Sequence, residues 1–153
     1  MIRRLATIFL LLAAFAVPQG GFAQAPDWAK VRIGVEANYP PFSQMGTDGK
    51  FSGFDIDIAN AICAQMKAEC TMVSQEWDGM MPALNAKKFD MIVASMSITE
   101  ERLKQVDFTD KYYNTPSKIV LKKAIKFDGI PSIKGKKIGV LKASTQEKYA
   151  LGE

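Results

Sequence analysis

The sequence predicts an α/β fold built from parallel β-α-β units. Short apolar segments rich in β-branched residues alternate with segments in which apolar residues recur at helical spacing. The apolar segments are residues 31–35, 70–74 and 91–94, and the helical segments are residues 51–66, 78–87 and 100–106. Such alternation is typical of a parallel sheet covered by helices. Polar and aromatic residues directly follow these strands, at the sheet edge where open α/β folds bind ligands.

The N-terminus has the pattern of a secretory signal peptide. Two arginines precede an apolar run at residues 5–17, and small residues follow it. The run is shorter than the ~20 apolar residues that a membrane-spanning helix needs. We predict a signal peptide over residues 1–23, because cleavage after Ala25, the alternative to Ala23, would leave Pro26 as the first mature residue. The mature protein is therefore expected in the periplasm.

The first strand, residues 31–35, leads directly into Glu36. Two prolines within residues 38–42 predict a loop after it, and the Gly-Thr-Asp-Gly-Lys segment at residues 46–50 predicts a turn. The next segment changes to helical spacing, with Ile58, Ile62 and Met66 recurring every four residues. We expect that face, together with the neighbouring Ala59 and Cys63, to belong to the core.

The later part of the chain predicts the beginning of a second unit. An alternating strand is expected at residues 118–121, and a second strand, KKIGVL, at residues 136–141 after a connector. Ser144 and Thr145 then have the residue types that cap a helix. One or two strands and one helix cannot bury a core of their own, so we expect this second unit to be incomplete.

The two cysteines, Cys63 and Cys70, lie on either side of a predicted helix end in an exported chain. A disulfide is the expected state in an oxidising compartment, and two buried free thiols are the alternative. Because the chain contains no histidine and only two thiols, zinc sites and catalysis by Ser-His-Asp or Cys-His groups are excluded. We expect neither a metal nor a cofactor.

The charge pattern argues against a nucleic-acid partner. The formal net charge of +4 includes the two signal arginines, and the mature chain has 18 Lys and Arg against 16 Asp and Glu. The lysine pairs at residues 87–88, 122–123 and 136–137 are far apart along the chain and border predicted strands. They are typical of solvated loops rather than of a basic binding surface.

The segment at residues 91–102 is the most informative for function. An apolar strand leads into Ser95 and Ser97 and then into a short helix that contains Arg102. An arginine can bind a carboxylate through two parallel hydrogen bonds, and the serines provide short donors and acceptors beside it. The alternative is that Thr99 caps the helix and that Glu101 and Arg102 are solvated on its first turn.

Five motifs in order make the chain resemble a known family. They are RIGVEANYPPF, GFDIDIANAIC, WDGMMPAL, KKFDMIVASMSITEER and KGKKIGVLKASTQEKY, and they cover residues 31–149. They resemble the polar amino-acid-binding proteins of bacterial ABC importers, most of all the lysine/arginine/ornithine-, histidine- and opine-binding members. The resemblance implies a monomer that binds a polar, cationic amino acid or opine and delivers it to a permease in the inner membrane.

The resemblance also implies the two-lobed periplasmic binding protein (type II) fold, in which two α/β lobes enclose the ligand. Residues 24–116 would form lobe 1, and residues 117–153 would form a crossing strand and the start of lobe 2. The family's pattern continues beyond this point, including an aspartate expected to bind the ligand ammonium. We therefore expect either a fragment of a longer reading frame or a truncated product.

The resemblance assigns roles at the backbone end of the ligand. Arg102 would bind the α-carboxylate, and a backbone donor at Thr145 would add to it. Ser95 and Ser97 would receive the α-ammonium, Ser95 through its carbonyl and Ser97 through its hydroxyl. Ala94 departs from the family, because some relatives have a serine there that adds a hydrogen bond.

At the side-chain end, Tyr39 and Trp77 would hold the ligand between aromatic faces, and Glu36 would meet its distal positive charge. The second-lobe wall would be formed by Leu141, Ser144 and Gln146. Glu36 is longer by one methylene than the aspartate of many cationic binders, and Trp77 replaces a phenylalanine. Simpler explanations stay open: core packing for Trp77, packing under the proline loop for Tyr39, and a solvated strand end for Glu36.

Proteins with two other functions also resemble this chain. One is an enzyme similar to cyclohexadienyl dehydratases, for which Glu36 is the only nearby general-acid candidate. The other is an extracytoplasmic sensor domain, which would be followed by a membrane span and a kinase. Binding without catalysis is the function that the motifs favour.

Overall fold

The computed structural model describes residues 28–152, so the predicted signal peptide lies outside the described residues. In chain order the elements are β1 (Lys30–Val35), β2 (Asn38–Tyr39), β3 (Ser43–Met45), β4 (Phe51–Ser52), α1 (Phe54–Met66), β5 (Glu69–Ser74), α2 (Met80–Asn85), β6 (Met91–Ile92), α3 (Glu100–Leu103) and α4 (Thr145–Leu151). Single 3-10 turns occur at Trp77–Gly79 and Ile130–Ile133. Within this part of the chain, no helix has the length and apolar character needed to cross a membrane.

The central parallel sheet confirms the predicted fold class. β1 lies in the middle, with β5 on one side and β6 on the other, and both neighbours run parallel to it. Val35 pairs with Ser74, so the carboxyl ends of β1 and β5 are level. β6 is shorter than predicted, but the Val93 N–H still donates a hydrogen bond to the Gly34 carbonyl at 3.1 Å.

The segment after β1 is more regular than the predicted loop. β2, β3 and β4 form a small antiparallel sheet. The predicted turn is present, since the Gly46 N–H donates to the Lys50 carbonyl at 2.8 Å. Gly53 precedes α1 with φ 123°, and a Cβ there would collide with the Phe42 carbonyl oxygen, so only glycine fits.

The predicted core face of α1 is confirmed in part, because Ala59 and Cys63 are buried and Ile58 packs against the core cluster. The buried residues of this helix are Asp55, Ile56, Ala59 and Cys63, whereas Met66 is 38% exposed. Ile56, Ala59 and Cys63 follow a spacing of three and four, and they pack on the side chains of β1. The buried face is thus centred on Ile56, Ala59 and Cys63 rather than on the predicted row of Ile58, Ile62 and Met66.

The core has two parts, one on each face of the parallel sheet. Alternate residues of β1 point toward α1 and join a cluster of Val31, Ile33, Val35, Ile56, Ala59, Cys63 and Val93. The opposite face is covered by a cluster of Met80, Ala83, Phe89 and Ala94. Gly34 makes room there, because a Cβ on it would lie 2.6 Å from the Phe89 ring.

The strands predicted at residues 118–121 and 136–141 are absent from the described structure. Neither segment is paired within residues 28–152, and Val120 and Ile138 are 90% and 52% exposed. An extended segment becomes a strand only when a neighbour accepts its backbone hydrogen bonds, so the alternating pattern was not sufficient. The helices α2 and α3 are also shorter than predicted, at Met80–Asn85 and Glu100–Leu103.

The disulfide between Cys63 and Cys70 joins the last turn of α1 to β5. We expect the double substitution Cys63→Ala and Cys70→Ala to lower the free energy of unfolding by about 2.5 kcal/mol, because the bridge restricts the unfolded chain. Urea unfolding measures the change. Adding a reductant to the wild-type protein should produce a similar loss and should leave the double variant unchanged.

Candidate functional site

The polar residues that the sequence singled out follow the carboxyl ends of the parallel strands. Glu36 comes directly after β1, and Trp77 begins the 3-10 turn after β5. Ser95 and Ser97 follow β6. Because the three strands are parallel, these positions lie at one edge of the sheet, as predicted.

Arg102 on α3 is half-buried and lies against Trp77. Its Cζ atom is 5.4 Å from the centroid of the Trp77 ring, a cation-π distance. Its Nη1 donates to the Ser97 carbonyl at 2.8 Å, and its Nη2 donates to the Ala143 carbonyl at 3.2 Å. Burial lowers the pKa of Arg102 from its ordinary value, yet an arginine stays charged at neutral pH.

The Arg102 charge has no carboxylate partner in the described structure. Among residues 28–152, none of the ion pairs includes Arg102. Two of its five N–H donors are used by backbone carbonyls, which leaves donors for another acceptor. A half-buried guanidinium held by neutral groups keeps its positive charge available to an anion.

The alternative role of the helix start is also realised. The Thr99 hydroxyl accepts a hydrogen bond from the Arg102 backbone N–H at 3.3 Å, so Thr99 is the N-cap of α3. Glu101 is exposed and pairs with Lys148 at 3.5 Å. The cap and the receptor interpretations are compatible, since Glu101 is exposed whereas Arg102 is half-buried.

Ser95 is held from two sides by residues that sequence reasoning missed. Its hydroxyl donates to Asp55 Oδ2 at 2.7 Å, and its backbone N–H donates to the Tyr112 hydroxyl at 2.8 Å. The Tyr112 hydroxyl in turn donates to Asp55 Oδ1 at 2.9 Å. Burial and the nearby Asp55 raise the pKa of Tyr112. The Tyr112 hydroxyl therefore stays protonated and donates its hydrogen bond to Asp55. An aspartate inside an apolar helix start was the available sequence signal for Asp55.

The segment before α4 reaches the same edge through Ala143, a residue that the sequence did not single out. The Ala143 carbonyl accepts from Trp77 Nε1 at 3.3 Å as well as from Arg102. Its N–H donates to Glu147 Oε2 at 2.6 Å, while the buried Ser144 hydroxyl caps α4 by accepting from the Glu147 N–H at 3.1 Å. The Ser-x-x-Glu spacing, which is typical of a helix start, was the signal that could have located the turn.

The other predicted residues of this segment are not gathered at Arg102. Thr145 is the first residue of α4, and its hydroxyl donates to Gln146 Oε1 at 3.3 Å. Gln146 Nε2 donates to the Ser117 hydroxyl at 3.0 Å, and Leu141 is 46% exposed. Their ligand-binding roles stay predictions.

Glu36 and Tyr39 have different environments. Glu36 is only 8% exposed, and burial, with a contribution from the negative charge of Glu76, raises the pKa of its carboxyl. It is therefore not the solvated strand end of the simpler explanation. Tyr39 is 39% exposed and stacks on Phe42 at 5.2 Å between ring centroids, and its ligand-binding role stays a prediction.

Some of the predicted site residues line two separate openings. A groove of about 320 Å³ runs along β6 and is lined by Ser95 and Ser97 together with residues 106–115. A smaller one of about 150 Å³ is lined by residues that include Trp77, Arg102 and Ala143. Neither is lined by Glu36 or Tyr39. Within the described residues, the predicted site is thus an open edge rather than one enclosed cavity.

A parallel α/β unit carries, at the carboxyl edge of its sheet, an arginine with no ion-pair partner among residues 28–152, and this defines an α/β domain suited to binding a small carboxylate ligand. The model of the bacterial extracellular solute-binding proteins, family 3, matches residues 31–149. The chain belongs to this family, which confirms the resemblance found in the sequence.

Named relatives agree with this assignment. The chain is 53% identical over 124 residues to the L-arginine-binding protein of Pseudomonas aeruginosa, covering 80% of this chain and 48% of the relative. It is 40% identical over 141 residues to the lysine/arginine/ornithine-binding periplasmic protein of Escherichia coli, covering 92% and 54%. The chain thus spans about half the length of the curated relatives it matches.

Solved structures show the same similarity. An ancestral arginine-binding protein bound to arginine superposes with a TM-score of 0.77 at 41% identity, covering 81% of this chain and 55% of that protein. An ancestral amino acid-binding protein that is a precursor of cyclohexadienyl dehydratase superposes with a TM-score of 0.54 at 42% identity, covering 56% and 38%. These structural neighbours are binding proteins of the expected α/β class.

Proposed function

We propose that this protein is the periplasmic substrate-binding component of an ABC importer and captures a polar, cationic amino acid. It is exported by its N-terminal signal peptide, binds its ligand as a monomer and delivers it to a permease in the inner membrane. Binding involves closure of a second lobe over the first, as in hinged binding proteins.

The observation on which this proposal rests is the state of Arg102. Its guanidinium is positioned by the Ser97 and Ala143 carbonyls and by the Trp77 ring, and it has no carboxylate partner among residues 28–152. A partly desolvated arginine of this kind binds a ligand carboxylate strongly, because charge-assisted paired hydrogen bonds replace the lost water. The α-carboxylate of an amino acid is the matching group.

The opposite end of the ligand is proposed to lie toward Glu36. This carboxyl is buried at the same sheet edge, where a cationic ligand group would compensate its desolvation. The relatives named for arginine and for lysine, arginine and ornithine support a cationic ligand.

Binding rather than catalysis is proposed because the relatives are named as binding proteins. The alternative is an enzyme in which Glu36 would act as the general acid, a role that its raised pKa would favour. Isothermal titration calorimetry of the purified protein with L-arginine, L-lysine, L-histidine and L-glutamate tests the proposal, alongside an assay for prephenate and arogenate turnover. We expect heat of binding for a cationic amino acid and no turnover. Turnover without amino-acid binding would overturn the proposal.

We expect Glu36→Gln to weaken L-arginine binding about tenfold, because the distal guanidinium loses a charged partner. Binding of L-citrulline, which has a neutral group in place of the guanidinium, should change little. Calorimetry with both ligands measures the difference. Equal weakening of the two would contradict a charge-specific role.

The same substitution should raise the melting temperature at neutral pH. Because the folded-state pKa of Glu36 is raised, the charged carboxyl costs stability, and this cost appears as pH rises through that raised pKa. Below the ordinary carboxyl pKa of about 4.3 the variant and the wild type should melt alike. Glu69→Gln, on an exposed residue of β5, is the control and should leave both curves unchanged.

A further inference from the structure

The buried group that the binding proposal leaves unused is Asp55. Its side chain is fully buried in the first turn of α1, where the positive end of a helix favours a carboxylate. Both carboxylate oxygens are used, Oδ1 by the Tyr112 hydroxyl and Oδ2 by the Ser95 hydroxyl. Asp55 therefore connects α1 to two segments that are 40 and 57 residues away in sequence.

Ser95 is the residue on which these contacts converge. Its φ is 53°, in the left-handed region that a residue with a Cβ rarely adopts. Such a conformation costs of order 1 kcal/mol and persists where surrounding contacts hold it. Here the hydroxyl and the N–H of Ser95 are both bound, by Asp55 and by Tyr112.

The remaining polar atom of Ser95 is its carbonyl oxygen. Within residues 28–152 this oxygen accepts none of the hydrogen bonds found in the structure. Ser95 follows β6 at the same sheet edge as Arg102, two residues before the carbonyl that anchors this arginine. A fixed and unused acceptor, two residues before the Ser97 carbonyl that holds Arg102, suits an α-ammonium group.

We propose that Asp55 and Tyr112 are positioning residues for ligand recognition, holding Ser95 left-handed so that its carbonyl is presented to the ligand α-ammonium. The inference rests on the proposed amino-acid-binding function and deepens it. Asp55 and Tyr112 do not touch the ligand. They act through Ser95, whose donors they occupy and whose backbone conformation they stabilise.

The test compares two ligands that differ only in the ammonium. L-Arginine is titrated beside 5-guanidinopentanoic acid, which keeps the carboxylate and guanidinium but lacks the α-amine. Calorimetry is performed on the wild type and on Asp55→Asn and Tyr112→Phe. We expect each substitution to weaken binding of L-arginine about tenfold and binding of the deaminated analogue less than about twofold. The reason is that only L-arginine has an α-ammonium to contact the Ser95 carbonyl.

Tyr113→Phe is the matched control. Tyr113 belongs to the same aromatic group as Tyr112, with ring centroids 5.3 Å apart. Its hydroxyl makes none of the hydrogen bonds found within residues 28–152, so binding of both ligands should be unchanged. Thermal unfolding is recorded for every variant. If Asp55→Asn does not fold, the result for Tyr112→Phe tests the positioning inference by itself, since this substitution removes one hydroxyl and keeps the ring.

The outcomes separate the two proposals. If Asp55→Asn and Tyr112→Phe weaken binding of both ligands equally, or change binding of neither, the positioning inference is wrong. Asp55 and Tyr112 then have a general structural role, and the proposed function stands. A wild-type protein that binds no cationic amino acid would overturn the proposed function and this inference with it. Selective weakening of L-arginine binding would support both the proposed function and the positioning inference.

Discussion

Replacing Arg102 by alanine is expected to abolish measurable binding of L-arginine, with affinity reduced at least about a hundredfold. The substitution removes the charge that pairs with the ligand carboxylate, and charge-assisted hydrogen bonds contribute roughly 1.5–3 kcal/mol each. It also removes the cation from the Trp77 face and leaves the Ser97 and Ala143 carbonyls without this donor. Calorimetry on the purified variant measures the loss.

Two controls make this result specific. Arg102→Lys keeps the charge but not the planar donor pair, so we expect it to recover binding only in part. Arg32→Ala removes the other arginine of the described residues, which pairs with Asp90 at 2.8 Å. That pair holds the pKa of Asp90 below its ordinary value, and its loss should lower stability slightly without changing affinity. Unchanged affinity in Arg102→Ala would contradict the proposed function.

Replacing Phe89 by alanine should lower the free energy of unfolding by about 3–5 kcal/mol. Phe89 is 1% exposed and packs with Met80, Ala83 and Ala94 on the face of the sheet opposite α1. Gly34, which faces the Phe89 ring, has no side chain to fill the space, so we expect much of the cavity to remain. Urea unfolding measures the change.

Phe127→Ala is the matched control for this substitution. Phe127 is 45% exposed, so we expect its removal to change stability by less than about 0.5 kcal/mol. Together with the Arg102 variants, the pair separates folding from recognition, because Phe89→Ala should reduce stability and Arg102→Ala should reduce affinity. A similar small change for both phenylalanines would contradict the core assignment of Phe89.

Strands were predicted well where a run of apolar and β-branched residues has polar residues at both ends. β1 and β5 were located within one residue, since runs of apolar and β-branched residues bounded by polar ones depend on local patterning. The turn at residues 46–50 and the bridge between Cys63 and Cys70 were also predicted, because each depends on a short stretch of chain.

Tertiary contacts overrode the local pattern elsewhere. Ile58, Ile62 and Met66 recur every four residues, yet the buried face of α1 is centred on Ile56, Ala59 and Cys63, which pack on β1. The alternating residues at 118–121 form no strand among the described residues, because alternation favours pairing but cannot supply the partner.

The sequence alone determined the family and the identity of the candidate recognition residues, because motif order and residue chemistry can be read along the chain. Arg102, Trp77 and Ser97 were identified in this way. Only the tertiary structure decided which groups support them. The contacts of Asp55 and Tyr112 with Ser95, and of the Ala143 carbonyl with Arg102 and Trp77, join segments far apart in sequence. Such contacts depend on where the folded backbone brings a carbonyl or carboxylate, and no local pattern encodes that position.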